Sequence, residues 1–166
     1  MLFLIDTCFW LHIQHLFLEI KIDLREVLTH FRWGYTEQIV EEYRNYKLQK
    51  FIPIKDGFCI PLSEHEIISF QKRYPFIDKF DLPDQTLAFC AKRDGSILLS
   101  DDGGLLMEIK SWGLTGFRLP SFCIWLVQSG FIRKNTGAKI LRFWEKNGLY
   151  EKREIKRWKK ELQIIK

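Results

Sequence analysis

Two short, unbroken apolar runs, Leu2-Phe3-Leu4-Ile5 and Ile97-Leu98-Leu99, each give way at once to acid: Asp6 after the first, Ser100-Asp101-Asp102 after the second. A run of this length without polar alternation suits a strand covered on both faces, as in a parallel sheet packed between helices. An acid directly behind such a strand lies at its carboxyl end. In open parallel sheets that edge is where ligands bind, at the point where the strand order reverses.

The intervening segments carry helical signals. Thr7 to Ile20 is rich in Leu, Phe and Ile and free of Gly and Pro, which predicts a helix, with a second short one from about Leu24 to His30. Phe31 to Tyr35 reads as a strand, and Thr36 as the N-cap of a helix from Glu37 to about Lys50. On that helix Ile39, Val40, Tyr43 and Tyr46 share a face, with Glu42 beside it and Glu41 further round. Phe51 to Ile54 and Phe58 to Leu62 flank Lys55-Asp56-Gly57, a hairpin signal. Ser63 and Glu66 form a capping box for a helix that Pro75 must end.

Asp84 to about Arg93 reads as a helix with Asp94-Gly95 as its exit turn, and Gly103-Gly104 opens a helix that Gly113 stops. After a last strand at Thr115 to Leu119, the segments Ser121–Ser129, Gly137–Asn147 and Glu151–Gln163 read as helices. The expected fold is α/β: three layers, with a central parallel sheet over residues 1–119 and a helical C-terminal extension over 120–166 packed on the same domain.

Composition narrows the partners. With 46% hydrophobic and 15% aromatic residues in 166, the chain can bury one substantial core. The net charge of +5 is uneven: residues 131–166 hold 12 Lys or Arg against four acids, so the tail carries +8 and the rest −3. An acidic body with a basic tail suits a protein that holds cations in one place and a polyanion in another. The apolar start lacks the layout of a signal peptide, and the longest charge-free run, Leu119 to Ile132, is too short and too interrupted to span a bilayer, so a soluble cytoplasmic protein with no membrane partner is expected. Four scattered cysteines predict no disulfide. Cys8, His12 and His15 fall on one helix face, but without a second ligand pair ordinary packing is the better reading.

Asp6 and Asp102 at strand ends, with Asp84 and Glu42 on flanking helices, can share one cleft. Asp6 alone is more simply a turn former or helix cap, Glu41 and Glu42 alone are solvated surface charges, and one of Asp101 and Asp102 is expected to cap the helix at Gly103. Together, four carboxylates repel unless cations neutralise them. Such an oxygen-rich set favours Mg²⁺ or Mn²⁺, and phosphodiester hydrolysis uses two such ions well.

The order Leu4-Ile5-Asp6-Thr7, then Thr36 through Tyr43 with Glu41-Glu42, then Asp84 with Ala88 and Ala91, then Leu99-Ser100-Asp101-Asp102 resembles the PIN-domain family over about residues 1–119. The resemblance implies that Asp6, Glu42, Asp84 and Asp102 are the four family acids. It places Ser100 at the small hydroxyl position near the metal, Asp101 as an auxiliary ligand, and Glu41 as the alternative to Glu42. It further implies metal-dependent cleavage of RNA, as in toxins of the VapC type with a small antitoxin protein as partner. The C-terminal helices exceed that compact pattern and resemble a longer PIN-related subgroup.

On the last helix Lys152, Arg153, Lys156, Arg157, Lys159 and Lys160 surround Trp158, a candidate surface for phosphates and stacked bases of single-stranded RNA, against the plainer reading of a solvated face. The abundant Trp and Phe fit either a homodimer interface or a filled core. The competing function is a non-catalytic PIN-like module that binds RNA or protein. A haloacid dehalogenase-type phosphatase would need Asp where Cys8 stands, and a receiver domain would need its acid pair near the first strand.

Overall fold

The apolar run Leu2–Ile5 forms the central strand, β1, of the computed structural model, which describes residues 1–165. It pairs in parallel with β2 (Arg32–Tyr35) on one side and β4 (Ile97–Leu99) on the other. β3 (Phe58–Cys59) and β5 (Gly116–Phe117) complete an all-parallel sheet in the order β3-β2-β1-β4-β5. The strand order reverses between β1 and β4, the two strands that end in acid. Helices flank the sheet in a three-layer α/β/α arrangement: α1 (Thr7–Ile20), α2 (Arg25–Leu28), α3 (Glu37–Asn45), α4 (Glu64–Arg73), α5 (Leu82–Asp94), α6 (Gly103–Ser111), α7 (Leu119–Gln128), α8 (Lys134–Asn147) and α9 (Lys152–Ile164).

Local signals explain most boundaries. Thr36 caps α3 by accepting from the Ile39 N–H, and the Ser63–Glu66 capping box starts α4. Gly95 ends α5 in the left-handed region at φ 64°, a conformation that costs glycine little. Along α1, Phe9, Trp10, Ile13 and Leu16 are buried at helical spacing.

The expected hairpin over Phe51 to Leu62 does not form. Ile54–Asp56 is a 3-10 turn, and β3 pairs parallel to β2, Gly34 opposite Phe58 and Tyr35 opposite Cys59. Gly57 is there for space: a Cβ at this position would lie 2.7 Å from the Trp33 ring. The Asp-Gly pair therefore answers to a tertiary contact rather than to a two-residue turn. α2 and α3 are also shorter than the sequence suggests; a left-handed residue, Lys47, follows α3, and Leu48 is buried.

The C-terminal helices share the core of the sheet. Phe122 on α7 meets Phe3 of β1 and Phe9 of α1 edge-on, each at 5.7 Å between ring centres, and α8 and α9 bury Ile140, Leu141, Trp144, Ile155, Trp158 and Leu162.

Candidate active site

At the carboxyl edge of β1 and β4 the backbone itself brings two acids together. The Asp6 N–H donates to the Leu99 carbonyl at 2.9 Å, which ties the end of β1 to the end of β4. Ser100 extends this link: its hydroxyl donates to Asp6 Oδ2 at 2.6 Å and accepts from the Asp102 N–H at 3.0 Å. The Cys8 thiol also donates to Asp6 Oδ2, at 2.7 Å. Asp6 is thus an almost fully buried carboxylate held by two donors, and Asp102 is an exposed acid whose Oδ1 caps α6 by accepting from the Leu105 N–H at 2.8 Å.

Glu42 and Asp84 arrive from helices locked to the same edge. Tyr43, buried beside Glu42, donates its hydroxyl to the Ile5 carbonyl at 2.5 Å, fixing α3 against the end of β1. Thr86 donates to the Pro83 carbonyl at 2.7 Å, so the 2.8 Å contact between Thr36 and Thr86 has Thr36 as donor and joins the start of α3 to the start of α5. Asp81 caps α5 by accepting from the Asp84 N–H, which leaves the Asp84 carboxylate in the first turn.

Asp6, Glu42, Asp84 and Asp102 line one cleft of about 280 Å³, together with Asp101, Thr7, Cys8, Leu11, His12 and Tyr46. Glu41 does not line it and is exposed, so Glu42 is the acid of this pair that α3 presents to the cleft. Among the described residues no Lys or Arg lines the cleft, and none of the four acids forms an ion pair. The electrostatic consequence is large. Burial and then the charges of Asp6, Asp81, Asp102 and Glu42 push the Asp84 carboxyl up to about 8. Burial raises Asp6, opposed by the bonds from Cys8 and Ser100, and raises Glu42, opposed by the Thr7 hydroxyl and reinforced by the charges of Asp6 and Asp81.

Asp101 has a different environment. Its carboxylate accepts from the Tyr150 hydroxyl at 3.1 Å and lies 3.5 Å from Arg118 Nε and 3.9 Å from His12 Nε2. Arg118 in turn holds Glu154 of α9 at 2.7 Å. Asp101 therefore anchors the C-terminal helices at the rim of the cleft through Oδ1, which faces Arg118 and the Tyr150 hydroxyl, while its buried Oδ2 has no hydrogen-bond partner among the described residues.

The donor set suits a hard divalent ion such as Mg²⁺ or Mn²⁺: it is oxygen-rich and, among the described residues, uncompensated by a Lys or Arg in the cleft. Asp6, Glu42, Asp84 and Asp102 would hold it. Among the described residues no three His, Cys, Asp or Glu side chains yet converge on one point, so ion entry would have to draw these acids inward by side-chain rotation.

Two features escaped the sequence. Asp81 adds its charge to Glu42 and Asp84, a role its spacing three residues before Asp84, with Pro83 between, could have signalled as a cap. The Asp101–Arg118–Tyr150 cluster joins residues too far apart in the chain to be paired by pattern.

The basic helix α9 needs one correction. Lys152, Arg153, Lys156, Arg157 and Lys160 are exposed, but Trp158 is fully buried, edge-on to Tyr150, with its Nε1–H donating to Ser121 Oγ at 3.2 Å. Ile155, Trp158 and Leu162 form the inward face at helical spacing. The indole cannot stack on a base. The charges that flank it belong to the opposite, solvated side.

No protein-family model and no curated protein matches this chain.

Proposed function

We propose that the protein is a Mg²⁺- or Mn²⁺-dependent endoribonuclease of PIN type. The observation that carries this reading is the cleft itself: four acids, two directly behind β1 and β4 and two on α3 and α5, line one cleft at the switch point of a parallel sheet, and among the described residues no Lys or Arg lines it. Bound divalent ions would supply an activated water and charge for the departing oxygen. The chain's own residues do the rest. Ser100 and Cys8 orient Asp6, Tyr43 fixes the helix that carries Glu42, and the caps at Asp81 and Asp102 hold the starts of α5 and α6, so that Asp84 and Asp102 would face the substrate phosphate from the cleft lining.

The exposed bases of α9 supply a phosphate-binding flank beside Arg118, favouring single-stranded RNA in an open cleft. On this reading the enzyme works in the cytoplasm; a toxin role with an antitoxin protein, and a homodimer, extend the same reading.

Purified protein should cleave RNA only with Mg²⁺ or Mn²⁺ and not with EDTA. Asp84→Asn and Asp102→Asn should each lower the rate by more than the roughly 10–100-fold typical of outer-sphere metal partners, with unchanged circular dichroism. Full activity in both variants refutes the mechanism.

A second reading, a non-catalytic PIN-like module binding RNA or protein, is favoured by the spread of the acids and by the engagement of Asp102 as a cap. Absence of any Mn²⁺-dependent rise in melting temperature would select it, because a ligand bound only by the folded state must stabilise that state.

A further inference from the structure

Beyond α9, a second basic face lies along α8. Lys139, Arg142, Phe143 and Lys146 stand at positions i, i+3, i+4 and i+7, one side of a helix. They line a groove of about 340 Å³ with Asn147 and with Glu19 and Ile20 from the end of α1. Among the described residues Glu19 is the single acid there. Among the described residues none of the three bases forms an ion pair, whereas on and beside α9 Arg157 is paired with Glu161, Lys159 with Glu145 and Arg118 with Glu154.

The groove is aimed at the cleft. α8 runs against α1 with opposite sense: Lys139 Nζ donates to the Ile20 carbonyl at 3.0 Å, His15 meets Phe143 edge-on at 5.1 Å, and His12, which lines the cleft, lies 6.0 Å from Tyr150, just past α8. His12, His15 and Glu19 follow one face of α1, and His12 to Ile20 spans roughly 12 Å of helix. Along α1, His15 beside Phe143 and His12 at the cleft thus lead from the groove toward the carboxylates.

We infer that this α1–α8 groove is the track by which single-stranded RNA leaves the cleft, with Lys139, Arg142 and Lys146 holding consecutive phosphates and Phe143 and His15 giving the bases an apolar wall. The inference rests on the nuclease reading for the polymer that occupies the cleft. A phosphodiester strand fits because the bases are spaced along a line, unpaired and beside aromatic surface, the combination that binds single strands with little sequence preference. An acidic peptide would meet the same charges, and competition by one is an outcome of the test.

The test measures anisotropy of labelled RNA with Mg²⁺ present, in an Asp84→Asn background so that cleavage does not intervene. Lys139→Gln/Arg142→Gln/Lys146→Gln should weaken binding of a strand of about 15 nucleotides by roughly tenfold or more at low salt, and should lower the salt slope by about 2, since each lost phosphate contact removes about 0.7. Binding of a strand of about three nucleotides, which fills only the cleft, should stay within about twofold. Arg142→Gln/Lys146→Gln, which keeps the Lys139 link to α1, should show the same pattern in reduced form and guards against a folding defect in the triple variant.

Unchanged long-strand affinity in both variants, failure of the parent protein to bind the long strand, or displacement by a polyglutamate peptide but not by unlabelled RNA overturns the track. The two readings fail separately. In the Asp84 form of the protein, metal-dependent cleavage without a track effect leaves the nuclease standing alone, and a track effect without cleavage leaves an RNA-binding surface without the nuclease.

Discussion

Asp84 and Asp101 are carboxylates at the same rim, yet their surroundings are opposite in sign. Asp101 is met by Arg118, His12 and the Tyr150 hydroxyl, so the charges around it pull its carboxyl back down against the effect of burial. Asp84 is met only by other acids, and every neighbouring charge pushes it further up. Burial alone does not distinguish a structural acid from a functional one here. Compensation from within the chain does: Asp101 is partly balanced by Arg118 and the Tyr150 hydroxyl, though burial still holds its carboxyl above the ordinary value, and Asp84 is balanced only if something positive enters from outside.

The largest effect should come from breaking the compensated side. Arg118→Met leaves Asp101 buried, with 6% of its side chain exposed, and frees Glu154 on α9. Loss of one partner of a buried pair costs about 3–5 kcal/mol; Arg118 is 30% exposed, so about 2–3 kcal/mol is expected here after solvent screening. Thermal unfolding should shift down by roughly 5–10 °C for a chain of this size. Asp101→Asn added to Arg118→Met should recover part of the loss, and purely additive losses in the double variant would show that the pair is not coupled.

The uncompensated side should respond in the other direction. The folded Asp84 carboxyl is raised to about 8 from an ordinary 3.8. Folded protein therefore binds more protons than unfolded chain between those values, so this contribution to stability is full below about pH 4 and is lost as pH rises through about 8. In metal-free buffer Asp84→Asn should unfold at a higher temperature than the parent at pH 8, by a few degrees, or about 1–2 kcal/mol after allowance for the open mouth of the cleft. The gap should shrink toward pH 5. A variant less stable than the parent at every pH would mean that Asp84 is a structural residue like Asp101.

That contrast marks how far the sequence could be read. β1, β4 and the acids behind them were legible because a strand buried on both faces shows no alternation and its end is sharp. Thr36, Ser63 and Glu66 announced their helices because caps are local chemistry. Glu42 could be placed beside the apolar face of α3, but its selection over Glu41 became visible only with the docking of Tyr43 on Ile5. The failures are tertiary: Gly57 makes room for Trp33 across the sheet, Trp158 turns inward on a helix whose charges catch the eye, and Arg118 finds Asp101 across the crossing from β5 to α7.

The smallest effect sharpens the comparison most. Tyr150→Phe removes one hydroxyl from Asp101 and leaves the ring in place between Trp144 and Trp158. The loss of one such bond should cost about 1 kcal/mol, or roughly 2–4 °C in melting temperature. If Asp101 belongs to the anchoring corner rather than to the ion site, the Mn²⁺-induced rise in melting temperature should be the same in Tyr150→Phe and in the parent, because no oxygen that faces the ion has changed. A variant that loses the Mn²⁺ response along with the hydroxyl would instead put Asp101 among the metal ligands, with Tyr150 orienting it, and would merge the two sides of the rim into one site.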